Sequence, residues 1–331
     1  MNIQLISFTD RGEGLANRLA EGLAGEAMRC GRPLSLDAWT RQSFLHADGL
    51  IFVGAAGIAV RAIAPYVKSK TQDPAVVVVD ETGRFSISLL SGHLGGANAL
   101  AQQVARLCGA TPVITTATDQ NGVFAVDSWA KIQGCMVQNP HRIKQISARL
   151  LSGGNIRVCS PWPIEGMPPH GVQLAQNEAS DVLLTINRTE EDVLKIVPRI
   201  AVLGVGCKRN TSQAAIEKAF QAICAEVNLD EAAVGLVCSI DRKAEEPGLL
   251  EFCKAHGLPF ETYTAEQLWQ AEGSFCSSAF VRETTGVDNV CERSAVLGSG
   301  GTLYVKKHAG SGVTMAVALR PFHPDWRWQY E

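Results

Sequence analysis

Four glycine-rich turns carry most of the side chains in this sequence that could do chemistry. They are Gly54-Ala-Ala-Gly-Ile-Ala-Val-Arg61, Ser91-Gly-His-Leu-Gly-Gly-Ala-Asn98, Thr115-Thr-Ala-Thr-Asp-Gln-Asn-Gly122 and Gly204-Val-Gly-Cys-Lys-Arg-Asn-Thr-Ser212. Glycine lets backbone N–H groups come close to an anion, and a helix N-terminus favours negative charge. Arg61, Lys208 and Arg209 add cations beside the first and fourth turns. Together they predict an anionic ligand, with several carboxylates as one option. Each turn taken alone is equally an ordinary tight connection of an α/β fold. The common catalytic fingerprints are missing: there is no G-x-x-x-x-G-K-[ST], no G-x-S-x-G elbow and no H-E-x-x-H, and Gly12-Glu-Gly14 lacks a third glycine.

The elements that must hold these turns alternate strand, turn and helix. That predicts an α/β protein: two α/β domains with mixed or parallel sheets joined by a small middle domain. In the first domain, residues 1–130, strands are expected at Ile3–Phe8, Leu50–Val53, Ala75–Val79, Phe85–Leu89 and Pro112–Thr116. Asp10–Gly14 reads as a turn, and helices are expected at Leu15–Met28, at Ile58–Tyr66 and from Asn98 to Cys108. Residues 131–198 form the middle domain, with a helix at Asn139–Leu151, a proline-broken Ser160–Gly171, a strand at Val182–Ile186 and linker character near Thr189–Arg199. The second α/β domain, 199–320, has strands at Ala201–Cys207, Gly235–Ser239, Phe260–Tyr263, Thr302–Lys306 and Val313–Leu319, the last two joined by a Gly310-Ser-Gly312 turn. Its helices follow a cap at Thr211 or Ser212, cover Glu246–Ala255, and run over Asp288–Leu297 with Asp288 as cap. The tail, 321–331, carries Trp326 and Trp328 and reads as a docking segment or a loose end. The four turns are expected at carboxyl ends of strands, where ligands of open α/β sheets bind, converging from both halves on one groove.

Of the 331 residues, 46% are hydrophobic and 19% charged, which suits a globular chain with ample core. The net charge of −3 argues against a nucleic-acid scaffold. The longest apolar runs, such as Ala75–Val79, fall far short of the roughly 20 residues a bilayer demands, and no secretory signal opens the chain. A cytoplasmic protein without nucleic-acid or membrane partners is expected. The 10 cysteines are dispersed without C-x-x-C, so reduced, mostly buried thiols are expected and no metal site.

The stretch GAAGIAVRAIAPYVKSKTQDPAVVVVDETGRFSISLLSGHLGGANALAQQVARLCGATPVITTATDQNGVFAVDSWA closely resembles the amino-terminal domain of the CbiG family of cobalamin (vitamin B12) biosynthesis. The segments GVGCKRNTS, SIDRKAEEPGLLEF, SAFVRETTGVDNVCERSAVLGSGG and VTMAVAL are similar to that family's carboxy-terminal domain, in the same order. The resemblance implies a hydrolase of the anaerobic route, a cobalt-precorrin-5A hydrolase. Such an enzyme opens the δ-lactone on ring A and expels C20 with its methyl group as acetaldehyde, leaving cobalt-precorrin-5B. It implies a cobalt-corrinoid substrate and no separate cofactor or metal, because the cobalt travels with the substrate. A homodimer and transient contact with neighbouring pathway methyltransferases stand as open partner options. The family's carboxy-terminal domain also occurs alone in relatives from the aerobic pathway, which leaves a non-catalytic tetrapyrrole carrier as the alternative. A generic nucleotide binder is disfavoured by the missing phosphate loops.

Lactone opening calls for a positioned water, a base and oxyanion donors. His93 is the expected general base, since a helix start would lower its pKa and keep it neutral. A turn histidine and an axial contact to the substrate's cobalt are its other readings. Asp119 is expected to orient His93 or the water. Gly54, Gly57, Arg61, Ser91, Gly92, Gly95, Gly96, Asn98, Thr116, Gly206, Lys208, Arg209 and Glu283 are the expected substrate-binding residues, with the cations taking peripheral carboxylates. Asp241, Lys243, Glu246 and Arg282 are candidates for a secondary surface. Cys207 is a weak nucleophile candidate, having no histidine beside it in sequence.

Overall fold

The computed structural model describes residues 1–69, 72–175, 180–310 and 312–329. Ser311, at the centre of the expected Gly310–Gly312 turn, lies outside the described residues, as do the last two positions of the tail. The strands form three sheets, of six, five and five strands. Each is mixed, as the α/β reading requires.

The first unit runs β1 (Ile3–Ser7), α1 (Asp10–Leu23), β2 (Glu26–Arg29), α2 (Leu36–His46), β3 (Gly49–Val53), α3 (Ala56–Ile63), β4 (Ala75–Val79), β5 (Phe85–Leu90), α4 (Ala97–Cys108), β6 (Thr111–Val113) and α5 (Ala117–Gln120), in sheet order β2-β1-β3-β4-β5-β6. The expected turn at Asp10–Gly14 is the first turn of α1 instead. Thr9 caps it by accepting from the Gly12 N–H at 3.0 Å. The helix stops at Leu23, before Met28, because Ala24 turns left-handed at φ 50° and the chain re-enters the sheet as β2. Every residue of β3 and β4 is buried, as expected of central strands covered on both faces.

Strand direction decides where the turns fall. Strands β2, β1, β3 and β4 are mutually parallel, but β5 runs antiparallel to β4, with Val76 opposite Leu90 and Val79 opposite Ser86. The reversal is made by a tight hairpin in which Asp80 Oδ1 accepts from the N–H groups of Arg84 and Phe85 at 2.9 and 2.7 Å. The Ser91–Asn98 turn therefore leaves the sheet beside the start of β4, and the Gly54–Arg61 turn beside its end. Five residues of strand, about 17 Å at 3.3–3.4 Å per residue, separate the two. The expectation that these turns share one face is overturned. Strand β6 is parallel to β5, so the Thr115–Gly122 turn joins the Ser91 turn.

The middle unit opens with α6 (Val126–Ile132) and builds a sheet of β7 (Cys135–Gln138), β8 (Ile156–Cys159), β9 (Val172–Ala175), β10 (Val182–Leu184) and β11 (Leu194–Pro198), in order β7-β11-β10-β8-β9, with α7 (Arg142–Leu151) beside it. Within the linker expected near Thr189–Arg199, Leu194–Pro198 form β11, an interior strand with every residue buried. Lys195 sits there 3% exposed, with its charge met by Asp230 at 2.5 Å.

The second α/β unit runs β12 (Ala201–Cys207), α8 (Gln213–Glu226), β13 (Val234–Ile240), α9 (Pro247–His256), β14 (Phe260–Tyr263), α10 (Ala265–Trp269), α11 (Ala279–Thr285), α12 (Cys291–Ser299), β15 (Thr302–Gly310) and β16 (Val313–Leu319), in order β14-β13-β12-β16-β15. Ser212 caps α8 through Ala215 N at 3.3 Å. The start of α12 is held by Asn289, whose Oδ1 accepts from Glu292 N at 2.9 Å. Asp288, the expected cap, instead pairs with Arg293 at 2.8 Å. Gly204 must be glycine, because a Cβ there would collide with the Cys291 carbonyl oxygen at the head of α12. The tail then returns to the middle unit. Trp326 stacks on Trp129 with ring centroids 5.3 Å apart, and Asp325 O accepts from Trp129 Nε1 at 2.6 Å. Through Trp326 the tail is therefore docked.

Candidate active site

The second and third turns meet in a row of ionisable groups. The His93 ring lies between two carboxylates, with Nε2 2.7 Å from Asp119 Oδ2 and Nδ1 3.3 Å from Asp127 Oδ1. His93 is contributed by the turn before α4, Asp119 by α5 and Asp127 by the first turn of α6. The middle unit thus supplies one end of the row. Asp119 Oδ2 also accepts from Asn98 Nδ2 at 2.9 Å and from the Thr116 hydroxyl. Asn98 is fixed in turn by Ser88, whose hydroxyl donates to its Oδ1 at 2.6 Å. Gly92 is required at this point because a Cβ would stand 2.7 Å from Asn98 Oδ1. Asp119 Oδ1 has no hydrogen-bond partner among the described residues.

Burial pulls the His93 pKa down, but the hydrogen bonds and charges of Asp119 and Asp127 outweigh it and raise it to about 9. Burial pushes Asp119 up, yet its bonds from His93, Thr116 and Asn98 and the imidazolium charge hold it below the ordinary carboxylate range. Near neutrality His93 is therefore an imidazolium and Asp119 a carboxylate. This corrects the reading of His93 as a neutral base kept so by a helix start. Both its nitrogens are engaged by anions, and it carries a proton already. With no ring nitrogen left over, it is not an axial ligand in this arrangement either.

The N–H groups at the head of α4 do not form an open anion cradle. Those of Ala97 and Asn98 donate to Ser91 O and Gly92 O at 3.1 and 3.0 Å. The same holds at the fourth turn, where Lys208 N donates to Gly312 O at 3.1 Å and Thr211 N to Glu246 Oε1 at 3.2 Å. The Ser91 turn closes on itself, and the fourth turn is tied to neighbouring segments through Gly312 and Glu246.

A cavity of about 370 Å³ opens beside the row, lined by Gly92, His93, Asn98, Asp119, Gln120 and Trp328 among others. A larger one, about 790 Å³, lies in the second α/β unit and is lined by Gly206, Lys208 and Arg209. The two share no lining residue. Of the expected set, Ser91, Gly95, Gly96 and Thr116 stand in the turns around the first cavity. Gly54, Gly57 and Arg61 line neither cavity. They sit at the far end of the sheet, where the Arg61 guanidinium folds back to within 3.6 Å of where a Gly57 Cβ would lie. Glu283 is exposed on α11 and lines neither cavity. Cys207 is a poor nucleophile, because burial pushes its thiol up. All ten cysteines are free, Cys276 being exposed. Among the described residues no group of three or more His, Cys, Asp or Glu is placed to hold a metal ion. No helix there is long and apolar enough to cross a membrane.

Asp127 and Trp328 were missed by sequence reasoning. Asp127 is 4% exposed in Val126-Asp-Ser-Trp129. An acid flanked by core residues is the signal that could have found it, since a buried carboxylate needs a partner. Nothing local in the sequence ties Trp328 to a cavity lined mainly by residues between Gly92 and Ser128.

The model for the cobalamin synthesis G N-terminal region matches residues 38–119, and that for the cobalamin synthesis G C-terminus matches residues 201–318. The cobalt-precorrin-5A hydrolase of Salmonella typhimurium is 36% identical over 344 residues, spanning 96% of this chain and 97% of that protein. The cobalt-precorrin-5A hydrolase of Priestia megaterium is 34% identical over 296 residues, spanning 83% and 79%. The Protein CobE of a Sinorhizobium species is 32% identical over 121 residues, spanning 35% of this chain and 78% of that protein.

Proposed function

The chain belongs to the cobalamin synthesis G family, and from that premise we propose that it is a cobalt-precorrin-5A hydrolase whose reacting centre is the Asp127–His93–Asp119 row. The substrate is a corrinoid, an apolar ring fringed by carboxylates. The observation that carries the assignment of the centre is Asp119. One of its oxygens is saturated by His93, Asn98 and Thr116, and the other has no partner beside a cavity.

In this reading Asp119 Oδ1 holds the attacking water and takes its proton as the water oxygen bonds to the lactone carbonyl carbon. The His93 imidazolium keeps Asp119 ionised, so that its carboxylate is free to take that proton when the water attacks. Asp127 holds the far side of the ring. Collapse of the tetrahedral intermediate breaks the lactone C–O bond and leaves a carboxylic acid, which loses its proton to solvent, and an alkoxide. The alkoxide becomes the carbonyl of acetaldehyde as its bond to the ring breaks, and the electron pair passes into the conjugated, cobalt-bearing macrocycle. The scheme routes no step through a resident metal or organic cofactor.

Asp119→Asn keeps the size and removes the proton acceptor. It is expected to lower kcat for acetaldehyde release by roughly 10²–10⁴-fold, the usual worth of a positioned acid–base group. Full turnover by that variant overturns the assignment.

A further inference from the structure

We infer that the basic cavity of the second α/β unit is a capture site for the carboxylate fringe of the macrocycle, separate from the reacting centre. The inference rests on the corrinoid reading of the substrate and deepens it by giving that substrate a second place to bind.

The cavity stands at the carboxyl ends of the parallel strands β12 and β13, with Ala309, Gly310, Gly312 and Val313 of strands β15 and β16 and their flanks along one side. Five cationic side chains line it: Lys208, Arg209, Arg242, Lys243 and Lys307. The lining acids are already spoken for. Glu246 pairs with Lys243 at 2.7 Å, and Asp288 pairs with Arg293 at 2.8 Å. That leaves Lys208, Arg209, Arg242 and Lys307 without a carboxylate partner among the described residues.

Between these cations the wall is apolar: Ile240, Val281, Val290 and Val313, with the Phe280 ring 75% exposed. Arg242 is held at this wall by the hydrogen bond that its Nη1 donates to Thr284 O at 2.5 Å. Spaced cations around an apolar wall suit a flat apolar ligand whose acids project from its edge. At the fourth turn two of the N–H groups, those of Lys208 and Thr211, are already bonded within the protein, which leaves the side-chain cations as the main anion contacts. At about 790 Å³ against about 370 Å³, this cavity also offers more of the room a macrocycle needs.

The test is equilibrium binding to the full chain, read by quenching of its tryptophan fluorescence. The probes are a cobalt corrin with its peripheral carboxylates free and the same ring fully methyl-esterified. The free acid is expected to bind, with affinity falling as salt rises, and the ester to bind much more weakly. Arg242→Glu with Lys307→Glu is expected to weaken binding of the acid roughly tenfold or more, the loss of charge-assisted contacts. An unchanged circular dichroism spectrum shows that this variant is folded, and the salt series on the unaltered chain gives a second reading that needs no variant. Asp119→Asn is expected to bind the acid as the unaltered chain does. Equal affinity for acid and ester, or no loss on charge reversal, overturns the capture site. So does complete displacement of the acid by ATP. If Asp119→Asn turns over fully while charge reversal still abolishes binding, the reacting centre is wrong and the capture site stands.

Discussion

At the scale of single residues, the protonation of His93 separates two chemistries. A neutral histidine base would give an activity that rises with pH through its ordinary value of 6.5. The row described here is complete only while His93 is charged, so kcat is expected to stay level through neutrality and fall as pH passes about 9. Stability follows the same group. Its pKa is raised on folding, so its contribution is present in full below about pH 6.5 and is lost as pH rises through about 9. Urea unfolding from pH 6 to 10, run beside the pH–rate profile, reads both. A rising limb centred near 6.5 would return His93 to the role of base. His93→Ala leaves Asp119 and Asp127 facing one another without a cation. Unfolding in urea should show a loss of roughly 3–5 kcal/mol, typical of removing one member of a buried ionic group.

At the scale of elements, most strands were legible because buried parallel strands read as apolar runs, and Phe260–Tyr263 falls where its pattern put it. What apolar pattern does not encode is direction. Strand β5 was recognised, yet its reversal moved the Ser91 turn to the opposite end of the sheet from the Gly54 turn. The signal was present, since two short strands joined through Asp80-Glu-Thr-Gly83 make a hairpin, and a hairpin is antiparallel by construction. The meeting of His93 with Asp119 was legible as two turns of the same unit, while Asp127 belongs to an element whose packing no local pattern announces. The fourth turn shows the same limit. Its glycines were read as room for an anion, but Gly204 is room for α12, whose Cys291 carbonyl occupies that space. Gly204→Ala is therefore expected to cost about 3 kcal/mol in chemical denaturation, the upper end for forcing a methyl into a packed layer. A neutral outcome would mean that α12 can slide away from β12.

At the scale of the whole molecule, the chain closes on itself. After β16 it crosses back to the middle unit, where Gln133 donates to Asp325 Oδ1 at 3.0 Å and Trp326 is 7% exposed against Trp129. Two residues later Trp328 lies edge-on to Phe124 at 6.1 Å and lines the cavity of the His93 row. The end of the chain thus forms a wall of a site built by its first half. Arg61, at the opposite end of the first sheet, does not. The two positions should part company in kinetics. Arg61→Ala is expected to leave the single-turnover rate of acetaldehyde release unchanged. Trp328→Ala removes an aromatic wall without touching the row, so KM should rise by roughly three- to tenfold with kcat nearly constant, and Trp328→Phe should restore most of it. Trp326→Ala acts on structure instead and should cost roughly 3–5 kcal/mol in unfolding. If Trp328→Ala leaves KM where it was, the tail is scaffold alone and the cavity must be closed by something else. If Arg61→Ala slows the chemical step, the macrocycle reaches both ends of the sheet at once, and the reacting centre assigned here is too small.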